Sequence, residues 1–259
     1  MSLRGLSWRR GIWPIARKVL LQESHGLVME VMTTLIYPIT FLLAFGLGLE
    51  GSIREVNGLA YPVFLMPGLI GYTLLLEAYS VGAWGLWLDR WHLGMLDEAR
   101  IKPVSTSSLI LGHILGGGMV AFIKGAITTV VLWSLIGFWP TSLLNVVLFL
   151  LHVLPGVLLF VCLGTTIGLI FKKPDHISQS LTILVTPMLY LGGLFFPISG
   201  LPEWLQKIVI WFPTAVFFEG GRTALLTGEW SWPNLIWVWC IGIIAFALSV
   251  RFFNWKLSH

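Results

Sequence analysis

The residues able to do chemistry in this chain are few, and their spacing rules out several reactions. A nucleotide-hydrolysing P-loop needs Gly-Lys followed by Ser or Thr, so that backbone N–H groups and the lysine hold phosphates. None of the seven lysines follows a glycine. Gly46-Leu47-Gly48-Leu49-Glu50-Gly51 fits G-x-G-x-x-G, but no strand precedes it and it closes an apolar run, so the match is coincidental. Zinc-protease and nucleophile-elbow patterns are absent, and the six histidines (25, 92, 113, 152, 176 and 259) are scattered. Cys162 and Cys240 lie in apolar runs without metal-ligand spacing and read as small hydrophobes. What remains is charge in apolar surroundings. Glu77 and Lys124 each interrupt a long apolar run, where a charge is costly and tied to a partner or a function. Two readings stand: a Glu77–Lys124 pair that fixes helix packing, or groups facing a polar pathway and meeting a substrate headgroup. Glu30 is expected near the cytoplasmic end of the first apolar run. His152, with no carboxylate within one helical turn, reads as a hydrogen-bonding residue rather than a proton relay.

The apolar runs that would position these groups dominate the chain. Hydrophobic residues make up 56% of the 259, charged residues 11%, and the mean hydropathy is +0.86. Soluble domains carry about 25% charged residues, so this chain cannot cover a water-facing surface. A crossing helix needs roughly 20 mostly apolar residues. Stretches poor in charge predict six, over 27–49, 61–88, 108–136, 143–171, 177–197 and 234–253. Gly137-Phe138-Trp139-Pro140-Thr141-Ser142 divides the third from the fourth, since Gly and Pro break helix and Thr-Ser can cap the next. Pro38 and Pro187 are expected to kink the first and fifth. Gly112-x-x-x-Gly116 and Gly164-x-x-x-Gly168 allow close helix approach, within the chain or between copies. The fold class is an all-α integral membrane protein, with residues 27–259 forming one six-helix domain. The first apolar stretch exceeds the length of a cleaved signal peptide.

The formal charge of +4 does not point to nucleic acid, because of where the basic residues fall. Arg4, Arg9, Arg10, Arg17 and Lys18, then Arg90, Arg100 and Lys102, then Lys172, Lys173, Arg251 and Lys256 all lie on one side of the six crossings. Only Arg54, Lys207 and Arg222 fall in the opposite loops. The positive-inside rule then places both termini in the cytoplasm.

Three segments are not simple crossings. The arm 1–26 carries Trp8, Ile12, Ile15, Ala16, Val19 and Leu20 at helical spacing, interleaved with Arg9, Arg10, Arg17 and Lys18. This is the pattern of an amphipathic helix in the cytoplasmic interface, touching membrane lipids; the plainer reading is a basic flank of the first span. The loop from Asp89 to Pro103 balances three acidic against three basic residues, with Leu93, Leu96 and Ile101 on an apolar side. It suits docking to a protein partner or a solvated connector equally, and Ser105 to Ser108 offer caps for the third helix. On the other side, Leu201, Trp204, Leu205, Ile208, Val209 and Phe212 follow a helical repeat between Pro202 and Pro213. Too short to span, this helix should be interfacial or re-entrant, with 214–226 returning toward the sixth crossing.

In this order, these segments resemble the permeases of type-2 ABC exporters, the ABC-2 family. The resemblance is most specific at Pro187-Met188-Leu189-Tyr190-Leu191-Gly192-Gly193-Leu194-Phe195-Phe196-Pro197, continuing through Leu201-Pro202-Glu203-Trp204-Leu205 and Phe212-Pro213 to Arg222. Pro67-Gly68, Gly94-Met95-Leu96-Asp97, Lys102-Pro103-Val104-Ser105 and Leu111-Gly112 also fit. The resemblance implies a permease that binds no cofactor itself and works with two copies of a cytoplasmic ATPase holding ATP and Mg. It implies that Leu93, Gly94, Met95, Leu96, Asp97, Glu98, Arg100 and Ile101 belong to a coupling helix at about 90–102, entering a cleft on the ATPase. The arm with Trp8, Arg9, Arg10, Ile12, Arg17 and Lys18 would help cradle that subunit. Phe196, Pro197, Pro202, Trp204, Leu205, Pro213 and Arg222 would form an exoplasmic gate. Two permease copies, most simply a homodimer in a prokaryotic plasma membrane, would export an amphipathic substrate such as a lipid-linked glycan, a lipid or a hydrophobic drug. The rivals are an ion-coupled secondary transporter, which usually shows two similar halves not found here, and a membrane-embedded lipid-modifying enzyme, which needs clustered His, Asp or Cys.

Overall fold

The computed structural model describes residues 4–24, 26–48, 55–56, 58–94, 105–140 and 142–258. Helix α1 (Arg4–Ser24) leads into α2 (Leu27–Phe41), which continues as a π-helical stretch over Leu42–Leu47. A short antiparallel pair, β1 (Glu55–Val56) and β2 (Leu59–Ala60), precedes α3 (Tyr61–Trp87), prolonged by a π turn over Leu88–His92. Then come α4 (Thr106–Ile136), α5 (Leu143–Ile170) and α6, a composite of α and π turns over Pro174–Leu194. Two shorter helices, α7 (Glu203–Val209) and α8 (Pro213–Leu226), lead to α9 (Trp232–Ser258). Six of these, α2 to α6 and α9, are long and apolar enough to cross a membrane.

Helix α3 is apolar on every side, and such a helix belongs in the middle of a bundle. Of its most apolar stretch 78% is buried, against 17% for α2 and 22% for α9, so α3 is the hub and those two face outward. Apolar contact with lipid is no worse than apolar contact with a neighbour, so packing in a bilayer depends on close fit. Glycines supply it. A Cβ at Gly164 of α5 would fall 2.2 Å from the Tyr79 carbonyl oxygen, and one at Gly168 would fall 2.3 Å from that of Ala83. The α3 and α5 backbones therefore touch. On α4, a Cβ at Gly112 would lie 2.5 Å from Ile15 Cβ, and one at Gly116 would lie 2.8 Å from Val19 Cβ. Both small-residue pairs serve contacts inside the chain. Residue numbers rise together along the α1–α4 contact, so α1 runs lengthwise beside α4 in the same direction.

The ends of the elements differ from expectation where polar groups find partners. The Ser105 hydroxyl accepts a hydrogen bond from the Ser108 N–H at 3.2 Å, capping α4, and Gly137 ends it in the left-handed region at φ 71°. Ser142 stands at the N-cap of α5 without a side-chain bond. Helix α3 runs four residues beyond its expected end, so Arg90, Trp91 and His92 belong to it rather than to the following loop. The extension goes with a tertiary contact: Asp89 is buried against partners from α1 and α4. Pro187 has no N–H, and π turns flank it at Leu181–Val185 and Tyr190–Leu194. Gly193, at φ 90°, then breaks α6, short of its expected end at residue 197.

Helix α8 dips into the bundle. A Cβ at Gly156 of α5 would meet both Phe217 and Leu75, Gly220 lies against His152, and the Asn145 amide donates to the Leu225 carbonyl at 3.2 Å. Helix α8 is thus antiparallel to α5, beginning near Leu75, about 21 Å along α3 from Tyr61 at 1.5 Å per residue. It ends near the start of α5.

Candidate functional site

Four helices meet on one ammonium. Lys124, in the middle of α4, is 6% exposed. Its Nζ donates to Glu77 Oε2 of α3 at 2.9 Å, to Glu30 Oε2 of α2 at 2.9 Å and to Glu23 Oε2 of α1 at 3.0 Å. The second Glu77 oxygen accepts a hydrogen bond from the Thr34 hydroxyl at 2.9 Å. A lysine inside a bundle is tolerable only if its three donors are all satisfied, and here they are. The cluster holds three carboxylates against one ammonium.

A second ion site lies at the end of α3. Asp89, 3% exposed, is paired with the Lys18 ammonium of α1 and with His113 Nε2 of α4 at 3.1 Å. Lys18 and Glu23 thus tie α1 to the bundle with opposite charges at two levels. His113 and Lys124 are eleven residues apart, about 20° around a helix of 3.6 residues per turn, and so share one face of α4.

Glu77 also forms part of the wall of a cleft of ≈ 380 Å³ between α2, α3 and α6. Thr33, Thr34 and Tyr37 come from α2, Tyr72 and Ser80 from α3, and Tyr190 from α6. At the end nearer Gly193, the Phe41 ring stands edge-on to Tyr72 at 6.1 Å and to Phe195 at 5.1 Å, and Tyr190 stacks on Phe195 at 5.6 Å. The cleft therefore carries hydroxyls and a carboxylate around Glu77 and abuts an aromatic cluster where α6 breaks.

Beyond that break Arg222 of α8, 6% exposed, binds main-chain carbonyls and a ring. Its Nε donates to the Phe64 carbonyl at 3.0 Å, its Nη2 to Gly193 at 2.8 Å and to Leu194 at 3.3 Å, and the guanidinium lies 3.8 Å from the Phe64 ring centroid. One side chain joins α8, the α6 break and α3.

Of the residues singled out from sequence, the structure brings Glu77 and Lys124 together and sets Glu77 on the cleft. Ile12 packs beside Gly112, Arg17 is exposed and Lys18 turns to Asp89; the side chains of Trp8, Arg9 and Arg10 lie outside the described residues. Leu93 is exposed and Gly94 takes φ 64°, whereas Met95, Leu96, Asp97, Glu98, Arg100 and Ile101 lie outside the described residues. Pro202 and Pro213 stand at the starts of α7 and α8. Leu205 packs on the small core of Ile198, Val209 and Ala215; Pro197 leads into a one-turn helix over Ile198–Gly200, and Phe196 and Trp204 are exposed. His152 donates through Nδ1–H to the Leu148 carbonyl at 2.9 Å, and its Nε2 has no partner among the described residues. Sequence reasoning missed Glu23, Thr34, Asp89 and His113. The shared face of His113 and Lys124 was the available signal.

A family model described as "ABC-2 type transporter" matches residues 12–226. Among curated proteins, the inner membrane transport permease YadH of Escherichia coli K12 is 28% identical over 218 residues, covering 83% of this chain and 84% of its own. Nodulation protein J of Sinorhizobium fredii is 26% identical over 205 residues, covering 77% and 75%. The daunorubicin resistance ABC transporter permease protein DrrB1 of Streptomyces coeruleorubidus is 26% identical over 242 residues, covering 89% and 82%.

Proposed function

Because the chain belongs to the ABC-2 type transporter family, we propose that it is the permease of an exporter whose ATP is hydrolysed by a separate subunit, and that the cleft beside Glu77 is part of the substrate path. The observation that carries this reading is the cleft itself: hydroxyls, aromatic residues and one carboxylate on three crossing helices, a lining suited to an amphipathic molecule. The absence of a P-loop in this sequence supports assigning ATP and Mg to a partner. The names of the relatives, an inner membrane transport permease and a drug-resistance permease, support an inner-membrane exporter, with both termini cytoplasmic by the distribution of basic residues.

In this reading two permease copies face each other and two ATPase subunits dock below. Helices α2 and α6 line the cleft together with α3, and a second copy would complete its wall. The loop at 93–101 inserts into the ATPase, and its movement reaches α1, α3 and α4 through Asp89, which holds Lys18 and His113. From α3 and α4 it reaches Glu77 and the cleft through Lys124. Helices α7 and α8 close the far end, with Arg222 holding α8 to the α6 break.

The test is purification from the native host in mild detergent, with and without scrambling of residues 93–101. Co-purification of a Walker-motif ATPase that the scramble releases is the expected result. An unaltered permease that comes alone, under conditions that preserve other ABC complexes, would move the reading to an ion-coupled transporter or a membrane enzyme.

A further inference from the structure

The cleft beside Glu77 is distinctive for a charge that it lacks. Its walls carry hydroxyls, aromatic rings and one carboxylate, and no Lys, Arg or His lines it among the described residues. The cation behind that wall, Lys124, is 6% exposed, and its three N–H donors go to Glu23, Glu30 and Glu77. An ammonium has no fourth donor to offer. A phosphate, sulfate or carboxylate entering the cleft would find no cation to bind and would face a cluster with two formal negative charges in excess, three carboxylates less one ammonium. Lys124 and Glu77 are well covered, while Glu23 and Glu30 are more open, so the field of that excess reaches the cleft chiefly through Glu77 in its wall, where screening is weakest. A positive group is favoured by the same field, and the wall includes the aromatic residues Tyr37, Tyr72 and Tyr190, a residue type that attracts cations.

We propose that the cleft selects amphiphiles bearing a positively charged group over those bearing an anionic one. The inference rests on the cleft being part of the substrate path, and it narrows the substrate class: a hydrophobic amine or quaternary ammonium fits, and a lipid diphosphate does not. The Glu77 carboxylate keeps its bonds to Lys124 and Thr34 throughout. The substrate cation is held by the field of the cluster and by the rings, so no internal ion pair has to break.

Ser80, one turn from Glu77 on α3 and in the cleft wall, allows a direct test. With Cys162→Ala and Cys240→Ala removing the native thiols, Ser80→Cys places one thiol in the cleft of the full chain in lipid nanodiscs. Thr33→Cys, on the facing wall, serves if Ser80→Cys is not monodisperse. Labelling rates are measured for methanethiosulfonates carrying a methyl, a trimethylammonioethyl or a sulfonatoethyl group, each divided by its rate with free cysteine. A cleft lined by one sign of charge raises local counter-ion concentration by about 10-fold or more. The normalised cationic rate should therefore exceed the anionic rate by about 10-fold, and Glu30→Gln should lower that ratio without touching the wall. Trimethylammonium-diphenylhexatriene should slow labelling by the methyl reagent where diphenylhexatriene propionate does not. A normalised ratio of one or less, or equal protection by both amphiphiles, overturns the proposal while leaving the path intact. If the methyl reagent labels an exposed Trp204→Cys reference but neither cleft thiol, the cleft is closed to solutes, and the path reading fails with the proposal.

Discussion

Glu23, in the last turn of α1, stands 3.0 Å from Lys124 in the middle of α4, so a helix outside the six apolar spans is charge-locked to a residue inside one of them. Glu30 and Glu77 share the same ammonium. Lys124 is thus the common partner of α1, α2 and α3, and the position of each helix depends on the others through it.

Lys124→Met should destabilise the protein severely. Removing one partner of a buried ion cluster leaves uncompensated charge, at a cost of about 3–5 kcal/mol. Adding Glu77→Gln should restore part of the loss, because one fewer carboxylate remains unpaired. Thermal melting followed by fluorescence size-exclusion measures both variants. A further loss in the double variant equal to that of Glu77→Gln alone would show that the two side chains are not coupled.

The glycine seam offers a test by size alone. Gly164→Ala and Gly168→Ala each drive a methyl group into an α3 carbonyl oxygen, at 2.2 Å and 2.3 Å, and backbone cannot move aside as a side chain can. Each should cost about 1–3 kcal/mol. Gly85→Ala, on α3 with nothing within 4 Å of the added methyl, should be neutral or stabilise by up to about 1 kcal/mol. Equal melting temperatures for all three variants would remove close backbone approach as the reason for the glycines.

Asp89 holds α1 and α4 together beside the proposed ATPase-coupling loop, through Lys18 and His113. Asp89→Asn should weaken both contacts and reduce substrate-stimulated ATPase activity of the assembled transporter more than it reduces the yield of folded permease. Lys18→Met and Asp89→Asn combined should cost less than the sum of the two single changes, since the contact they share is lost only once. Full additivity of the two changes in melting temperature would show that Lys18 acts elsewhere.

The six crossings were legible in the sequence because their signal is long and one-dimensional: a run of apolar residues needs no partner to be recognised. Their ends were less so. Helix α3 continues to His92 because Asp89 finds Lys18 and His113, residues 71 and 24 positions away, and no local pattern carries that information. Glu77 and Lys124 stood out because each interrupted an apolar run. Glu23 did not, because it sits in a polar stretch where a carboxylate is unremarkable until α1 is laid along α4. That placement depends on Gly112 and Gly116, a pair whose partner helix the spacing could not name. The cleft is assembled from single hydroxyls and rings on three helices, each ordinary in its own segment.

Arg222 provides the sharpest test of the proposed gate. Its guanidinium bridges two groups of carbonyls, Phe64 through Nε and Gly193 with Leu194 through Nη2, and this needs a planar fork with donors on separate edges. A lysine offers its donors from one point and cannot span both. Arg222→Lys should therefore behave like Arg222→Met rather than like the parent. Loss of a hydrogen bond to a charged group costs about 1.5–3 kcal/mol, concentrated where α8 meets the α6 break. Hydrogen exchange should accelerate over residues 193–200 and 213–222 in both variants, with the α3–α5 seam unchanged. Parent-like protection in Arg222→Lys would mean that charge alone holds α8 in place and that the fork geometry is incidental.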